Sequence, residues 1–164
     1  MDIKAAIITV SDKGSRGERE DLSGKLIEDI LKSEGIAIVL KEIVPDEYDA
    51  ISTKIIEAID KLGADVVLTT GGTGFSHRDV TPEATKVVVD REAPGIAETM
   101  RSESYKITPR AMLSRGISGI RGQSLIVNLP GSPKAVRESM GVILSVLPHG
   151  VEVLRGEAHE CAQQ

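Results

Sequence analysis

The chain alternates between short, nearly unbroken apolar runs and longer segments in which apolar residues return every three or four positions. The first pattern belongs to strands buried on both faces; the second belongs to helices with one buried stripe. Residues 4–11, KAAIITVS, form the first run and read as a buried strand. Residues 11–18 are polar and read as a loop. Over 20–34, Leu22, Leu26, Ile27, Ile30 and Leu31 recur at helical spacing, and Gly35 follows as a stop signal. Residues 36–44, IAIVLKEIV, predict a second strand. Ile51, Ile55, Ile56, Ile59 and Leu62 then predict a second helix that ends at Gly63. A third strand opens at 65–68, DVVL, and runs into TTGGTG at 69–74.

The second half continues in this style. Thr81 is placed to cap a helix, with Pro82 at its first position and Glu83 near its positive end. Pro94 starts another helix through Ile96 and Met100 towards Tyr105. Thr108-Pro109 repeats the Thr-Pro start. Residues 116–121 and 123–129 predict two strands joined tightly near Gly122, a join short enough to be antiparallel only. Ser132-Pro133 opens a helix whose stripe is Val136, Met140, Ile143, Leu144 and Leu147, and 151–154 predict a last short helix. Successive strand–helix–strand units pair their strands in parallel, with helices over both sheet faces. The expectation is one α/β domain over 1–156, with a mostly parallel sheet and one antiparallel pairing, followed by a polar tail at 157–164.

Composition narrows the function classes. The 164 residues carry 20 Lys+Arg against 25 Asp+Glu, a formal net charge of -5. Phe75, Tyr48 and Tyr105 are the only aromatics. The core must be aliphatic, and stacking platforms for single-stranded nucleic acid are nearly lacking. Without a basic run, nonspecific nucleic-acid binding is not expected either. The single cysteine, Cys161, permits no internal disulfide. No apolar stretch approaches membrane-spanning length, and no leader pattern opens the chain, so neither membrane insertion nor export is expected, and the location expected is cytoplasmic.

Ligands of open α/β sheets collect at the carboxyl ends of the strands. Four segments map there: 11–17, 45–46, 69–79 and 128–132. The sharpest is Thr69-Thr70-Gly71-Gly72-Thr73-Gly74. Its glycines allow positive φ and close backbone approach, so successive amides can cradle an anion. A sharp strand-exit turn without ligand is the alternative. No Gly-Lys-Ser or Gly-Lys-Thr follows, so the loop is not a P-loop. Asp79 either caps the following helix or joins Asp46, at the end of the preceding strand, in holding a divalent cation beside phosphates. Asn128-Leu129-Pro130-Gly131-Ser132-Pro133 is either a plain strand–turn–helix junction or a second anion site at a helix start. Ser11 and Asp12 end the first strand, and Ser114 and Arg115 flank the antiparallel pair, where an arginine can grip a phosphate. His77 lies near the glycine loop without an evident nucleophile partner, and His149 and His159 read as structural or superficial. His159 and Cys161 form an isolated pair that reads as no metal site.

Read together, ITVSD at 8–12, VPDE at 44–47, LTTGGTG at 68–74, RDVTPEAT at 78–85, MLSRGISGIRG at 112–122 and LIVNLPGSPKAV at 125–136 resemble the molybdenum cofactor biosynthesis family of MogA and MoaB, with the related domains of gephyrin and its plant counterpart. The resemblance spans nearly the whole chain in unbroken order. It implies a three-layer α/β/α domain, usually trimeric and in some members hexameric. It also implies transfer of AMP from ATP to the terminal phosphate of molybdopterin, with magnesium and release of pyrophosphate. A noncatalytic pterin-binding or scaffold role of the MoaB type is the alternative, and a hydrolase-like use of the loop, as in CinA-type domains, is a third. By resemblance, Asp46 and Asp79 match the catalytic, metal-holding aspartates. Thr70, Gly71, Gly72, Thr73, Gly74, Ser114 and Arg115 match the pterin-phosphate region. Ser11, Asp12, Asn128, Pro130, Gly131 and Ser132 fall on the rim that serves pterin or nucleotide. A contact with the molybdate-insertion protein is also implied.

Overall fold

The computed structural model describes residues 2–157. The tail proposed from 157 onward, with His159 and Cys161, lies outside them apart from Glu157. Six strands form one sheet: β1 (Lys4–Val10), β2 (Ala37–Val44), β3 (Val66–Thr70), β4 (Arg91–Glu92), β5 (Ser118–Arg121) and β6 (Ser124–Leu129), in the order β2-β1-β3-β6-β5-β4. β1 pairs in parallel with β2 and β3, and β3 with β6; β5 runs antiparallel to β6. Gly122, at φ 57°, makes the hairpin turn between them. The mostly parallel sheet with its hairpin is as expected. Edge strand β4, antiparallel to β5, is an addition: two residues, both exposed, carry no periodic signal.

Strand alternation sorts the core into two layers. Ala5, Ile7, Val66, Leu68, Leu125, Val127 and Leu129 face α2 (Leu22–Ser33), α5 (Pro94–Tyr105), α6 (Pro133–Ile143) and α7 (Leu147–Arg155). Ala6, Ile8, Val10, Val67 and Ile126 face α3 (Tyr48–Ile56) and α4 (Thr81–Lys86). A strand buried on both faces has no polar side to show, which is why the sequence displays continuous apolar runs. The result is the α/β/α sandwich.

Local chemistry explains where the elements differ from expectation. Residues 11–18 are not all loop: Ser11 accepts a hydrogen bond from Gly14 N and caps a one-turn helix, α1 (Asp12–Ser15). Helix α2 starts at Leu22, later than the periodicity implies, because Asp21 caps it through Gly24 N. Helix α3 runs on into a π-helical turn at Glu57–Lys61, and Leu62 ends 38% exposed rather than on the buried stripe. The stripe from Ser132 also breaks. Leu147 belongs to α7, which extends over the short helix expected at 151–154. Thr81 is not a cap. It lies inside α4, fully buried, and its hydroxyl donates to Gly71 O at 2.9 Å. Thr108 and Ser132 do cap their helices. No helix among the described residues is long and apolar enough to cross a membrane.

Candidate active site

β1, β3 and β6 are neighbours, so their carboxyl ends open side by side. A cleft of about 640 Å³ lies over those ends. Ser11 comes from β1, Asp46 from the end of β2, Thr70, Gly71 and Gly72 from the exit of β3, Asp79 from the loop beyond, and Gly131 and Ser132 from the exit of β6.

The exits of β3 and β6 are tied to each other. Thr70 Oγ1 donates to Pro130 O at 2.6 Å, and Gly71 N donates to Leu129 O at 3.3 Å. Gly131 stands so close to Gly71 Cα that an added Cβ would lie at 3.4 Å. Gly71 and Gly72 both take positive φ, 102° and 65°. A Cβ on Gly71 would strike Val10 O, and one on Gly72 would strike Thr81 Oγ1. Only glycine fits at either place. Beyond them, the N–H groups of Gly72, Thr73 and Gly74 donate to no acceptor among the described residues. Successive free amides suit an oxyanion; Gly72 lines the cleft, while Thr73 and Gly74 are not among its lining residues.

Asp79 and Asp46 stand at either side of this loop. Asp79 accepts from Ser76 N at 2.9 Å and does not cap α4. An added Cβ on Gly74 would lie 2.8 Å from Asp79 Oδ2, and one on Gly72 3.2 Å from Asp46 Oδ1. Asp46 is only partly accessible. Burial pushes its carboxyl above the usual range, and the negative charges of Asp12 and Asp79 add to this. Hydrogen bonding from Asp12 and the charge of Arg78 oppose the rise. The donors fit a hard divalent cation: two carboxylates, oxygen atoms only, with mutual repulsion that a cation would relieve. Among the described residues, no group of three or more His, Cys, Asp or Glu side chains is placed to hold a metal ion on its own. Any cation here would keep waters or phosphate oxygens as its other ligands, the habit of a small divalent ion.

Asp12 has a different part. Arg78 grips it with two hydrogen bonds, Nε to Oδ2 at 3.0 Å and Nη2 to Oδ1 at 2.9 Å, holding its carboxyl below the usual range. Its oxygens are taken, and it is absent from the cleft lining. Arg115 is likewise engaged. Its Nε donates to Gly74 O at 2.7 Å, its Nη2 to Asp79 O at 2.6 Å and its Nη1 to Glu83, while its own N–H donates to Thr73 O at 2.8 Å. The guanidinium fork holds the whole 73–79 loop in shape and faces the loop instead of the cleft. Partial burial opposes it, yet the Arg115 cation keeps the Glu83 carboxyl below its usual range.

Asn128 is also inward. It is 2% exposed, its Nδ2 donates to Thr69 Oγ1 and Thr85 Oγ1 at 2.9 Å each, and its Oδ1 accepts from Ile117 N at 3.2 Å. Ser114, Asn128 and Pro130 border a second hollow of about 230 Å³, between α5, α6 and the turn at Pro109–Leu113. The 128–133 segment therefore separates two cavities, with Asn128 and Pro130 on one and Gly131, Ser132 and Pro133 on the other. Sequence reasoning does not reach the roles of Arg78 and of the α2 start, Arg19 to Ser23. Arg78 stands inside the RDVTPE motif, but its partner is 66 residues away.

The family model "Probable molybdopterin binding domain" matches residues 6–149. A molybdopterin adenylyltransferase of Helicobacter pylori J99 is 45% identical over 157 residues, which are 94% of this chain and 89% of that protein. The crystal structure of the molybdopterin biosynthesis enzyme MoaB of Thermus thermophilus superposes with a TM-score of 0.89 at 46% identity, covering 96% of this chain and 99% of that one. The molybdopterin biosynthesis Mog protein of Mycobacterium ulcerans does so with a TM-score of 0.88 at 35% identity, covering 93% and 99%. By sequence and by fold, this chain belongs to the molybdopterin-binding domain family of molybdenum cofactor biosynthesis.

Proposed function

We propose that the chain is a molybdopterin adenylyltransferase, joining AMP from ATP to the terminal phosphate of molybdopterin and releasing pyrophosphate. One observation carries the reading. The carboxylates of Asp46 and Asp79 line one cleft with Gly71 and Gly72, where the run of free amides at 72–74 begins, over the carboxyl ends of four adjacent strands. The near full-length similarity to proteins of that name supports it.

In this reaction a phosphate oxygen of molybdopterin attacks the α-phosphorus of ATP. The new P–O bond forms as the bond to the β-phosphate breaks, and pyrophosphate leaves with the electron pair. A phosphate dianion needs no general base. The work left to the protein is position and charge. The 72–74 amides bind phosphate oxygens, Ser132 and the start of α6 offer further donors, and the threonine ties between β3 and β6 keep both rims from spreading. Magnesium, when held by Asp46 and Asp79, supplies charge neutralisation for the triphosphate and the departing pyrophosphate. The two cavities on either side of residues 128–133 suit two reactants brought together. The family resemblance further supports a homotrimer, or a hexamer, in the cytoplasm, with hand-over to a molybdate-insertion protein.

The test is incubation of the purified protein with molybdopterin, ATP and magnesium, with detection of adenylylated molybdopterin and pyrophosphate. Both products together are expected. Pterin binding without turnover would instead assign a binding protein of the MoaB type, and ATP loss without adenylylated pterin would assign hydrolysis.

A further inference from the structure

Three arginines of the neighbouring loops, Arg16, Arg78 and Arg115, are engaged with protein partners and are not among the cleft's lining residues. Arg16 closes on Glu18 through hydrogen bonds of 3.0 and 3.1 Å. Arg78 closes on Asp12, and Arg115 on the 73–79 loop and Glu83. Arg19 alone lines the cleft, and it makes no hydrogen bond or ion pair with any described residue. It lies on the exposed connection between α1 and α2, where a long side chain can swing without breaking an existing contact.

The charge of the lining makes this position matter. Glu20, Asp21, Asp46 and Asp79 border the cleft, and Arg19 is the one basic residue among the lining residues. Asp21 is turned inward, accepting from Thr9 Oγ1 and Gly24 N at 2.8 Å each, but its negative charge remains. Neutral amides give an anion hydrogen bonds and no net charge. A polyphosphate entering such a cleft meets repulsion from several carboxylates. A guanidinium offers both the missing charge and two parallel donors that match phosphate oxygens.

We propose that Arg19 is a substrate-binding residue whose guanidinium grips phosphate oxygens of the ligand in this cleft. This rests on the reading of the cleft as a phosphate site given above. Two phosphate sources reach such a site: the polyphosphate of a nucleoside triphosphate and the phosphate monoester of a pterin. Sequence context does not single out Arg19, because a lone arginine in a polar stretch, ERE, reads as a solvated charge.

Affinities are measured by titration calorimetry for the wild type, Arg19→Ala, Arg19→Lys and Lys13→Ala. The probes are a nonhydrolysable ATP analogue with magnesium, molybdopterin, and inorganic pyrophosphate. Lys13 is an exposed basic residue of α1 outside the cleft lining, so its loss removes the same charge without the contact. Arg19→Ala is expected to bind at least one probe about tenfold more weakly. Arg19→Lys should recover part of that loss, and Lys13→Ala should stay within about twofold. The probe that loses affinity identifies the phosphate that Arg19 holds. Binding of all three probes by Arg19→Ala at wild-type strength would overturn the assignment. So would an equal loss in Lys13→Ala, which would show a general field instead of a contact. If the wild type bound none of the three, the phosphate reading of the cleft would fall, and this inference with it.

Discussion

Asp12 and Asp46 hold each other by exchanged hydrogen bonds: Asp12 N donates to Asp46 Oδ2 at 2.8 Å, and Asp46 N donates to Asp12 Oδ1 at 3.0 Å. Two carboxylates are thereby brought together that would otherwise repel. Each bond joins a charged acceptor to a backbone donor, and Arg78 supplies the compensating cation. The exchange fixes the loop after β1 to the loop after β2, and so fixes where Asp46 meets the cleft. Asp46 is thus a well-placed but costly anion, the usual state of a residue retained for chemistry.

That cost gives the first prediction. The folded-state pKa of Asp46 is raised, so its contribution to stability is full below the unfolded pKa and is lost as pH rises through the folded value. At neutral pH the ionised group destabilises the fold. Asp46→Asn keeps an oxygen to accept from Asp12 N and removes the charge. Without added metal, it should melt higher than the wild type at pH 7, on the order of 2 °C. The gap should close as the pH falls through the raised folded-state pKa of Asp46 and below the ordinary aspartate value of about 4. Adenylylation by the variant should be abolished. A lower melting temperature at pH 7 would show that the charge is stabilising.

Asp79 separates chemistry from fold more cleanly. Among the described residues its carboxylate makes one hydrogen bond, accepted from Ser76 N, which an amide oxygen also accepts. Asp79→Asn should therefore keep its melting temperature within about 2 °C. Turnover should fall by roughly a hundredfold or more, because charge neutralisation beside the reacting phosphates is lost. Molybdopterin binding should be largely spared. Turnover within twofold of wild type would take Asp79 out of the site.

Gly72→Ala tests the loop geometry. The new methyl would strike Thr81 Oγ1, and the residue would have to hold φ 65°. Thr81 cannot move aside cheaply, since its hydroxyl is bonded to Gly71 O inside the core. The variant should lose about 1–3 kcal/mol of stability, measured by urea unfolding. Its molybdopterin affinity should fall as well, since the displaced amides are those offered to phosphate. Gly72→Val should be worse on both measures. A folded Gly72→Ala with unchanged affinity would show that these amides do not bind the pterin phosphate.

Much of this is legible in the sequence, and the misses share a cause. Strands β1, β3 and β6 announce themselves because burial on both faces leaves few polar positions in each run, and those present, such as Thr9, Thr69, Thr70 and Asn128, are themselves buried. Asp46, Asp79 and the TTGGTG loop are legible because topology puts strand ends together without knowledge of side-chain geometry. What the sequence does not reveal is where each polar side chain turns. Thr81 has the sequence context of a cap and instead points into the core. Asn128, Asp12 and Arg115 have the context of ligand contacts, and the structure commits each to protein partners. Asp12 meets Asp46 and Arg78 across 34 and 66 residues of chain, and Arg115 meets Gly74 across 41. Separations of that size leave no local periodicity to detect.

Asn128 offers a test of such a commitment. Its amide joins β6 to Thr69 of β3 and Thr85 of α4 through two buried bonds, and accepts a part-buried one from Ile117 N. Asn128→Ala leaves Thr69 Oγ1 and Ile117 N without this partner and takes a donor from Thr85 Oγ1, which still donates to Thr81 O at 2.8 Å. A loss of about 2–4 kcal/mol is expected in urea unfolding, at the upper end because several groups lose a partner at once. A loss below about 0.5 kcal/mol would show that the side chain is not a structural pin.

Arg115 carries the sharpest distinction between charge and shape. Its planar fork reaches Gly74 O, Asp79 O and Glu83 together, and among the described residues no other side chain ties both ends of the 74–79 loop to α4. Lysine keeps the charge but concentrates it at one point, so it cannot satisfy three acceptors spread in a plane. If Arg115 serves only as a positive charge for phosphate, Arg115→Lys should retain most activity. If it works through the loop, Arg115→Lys should lose roughly as much turnover as Arg115→Met, about tenfold or more, because Asp79 is displaced in both. The second outcome is expected. Hydrogen exchange gives a readout independent of catalysis: the Asp79 amide, which donates to Ser76 O at 2.9 Å, should exchange faster in both variants while the amides of β3 keep their protection. Wild-type exchange at Asp79 in Arg115→Lys would mean that the loop holds its shape without the fork.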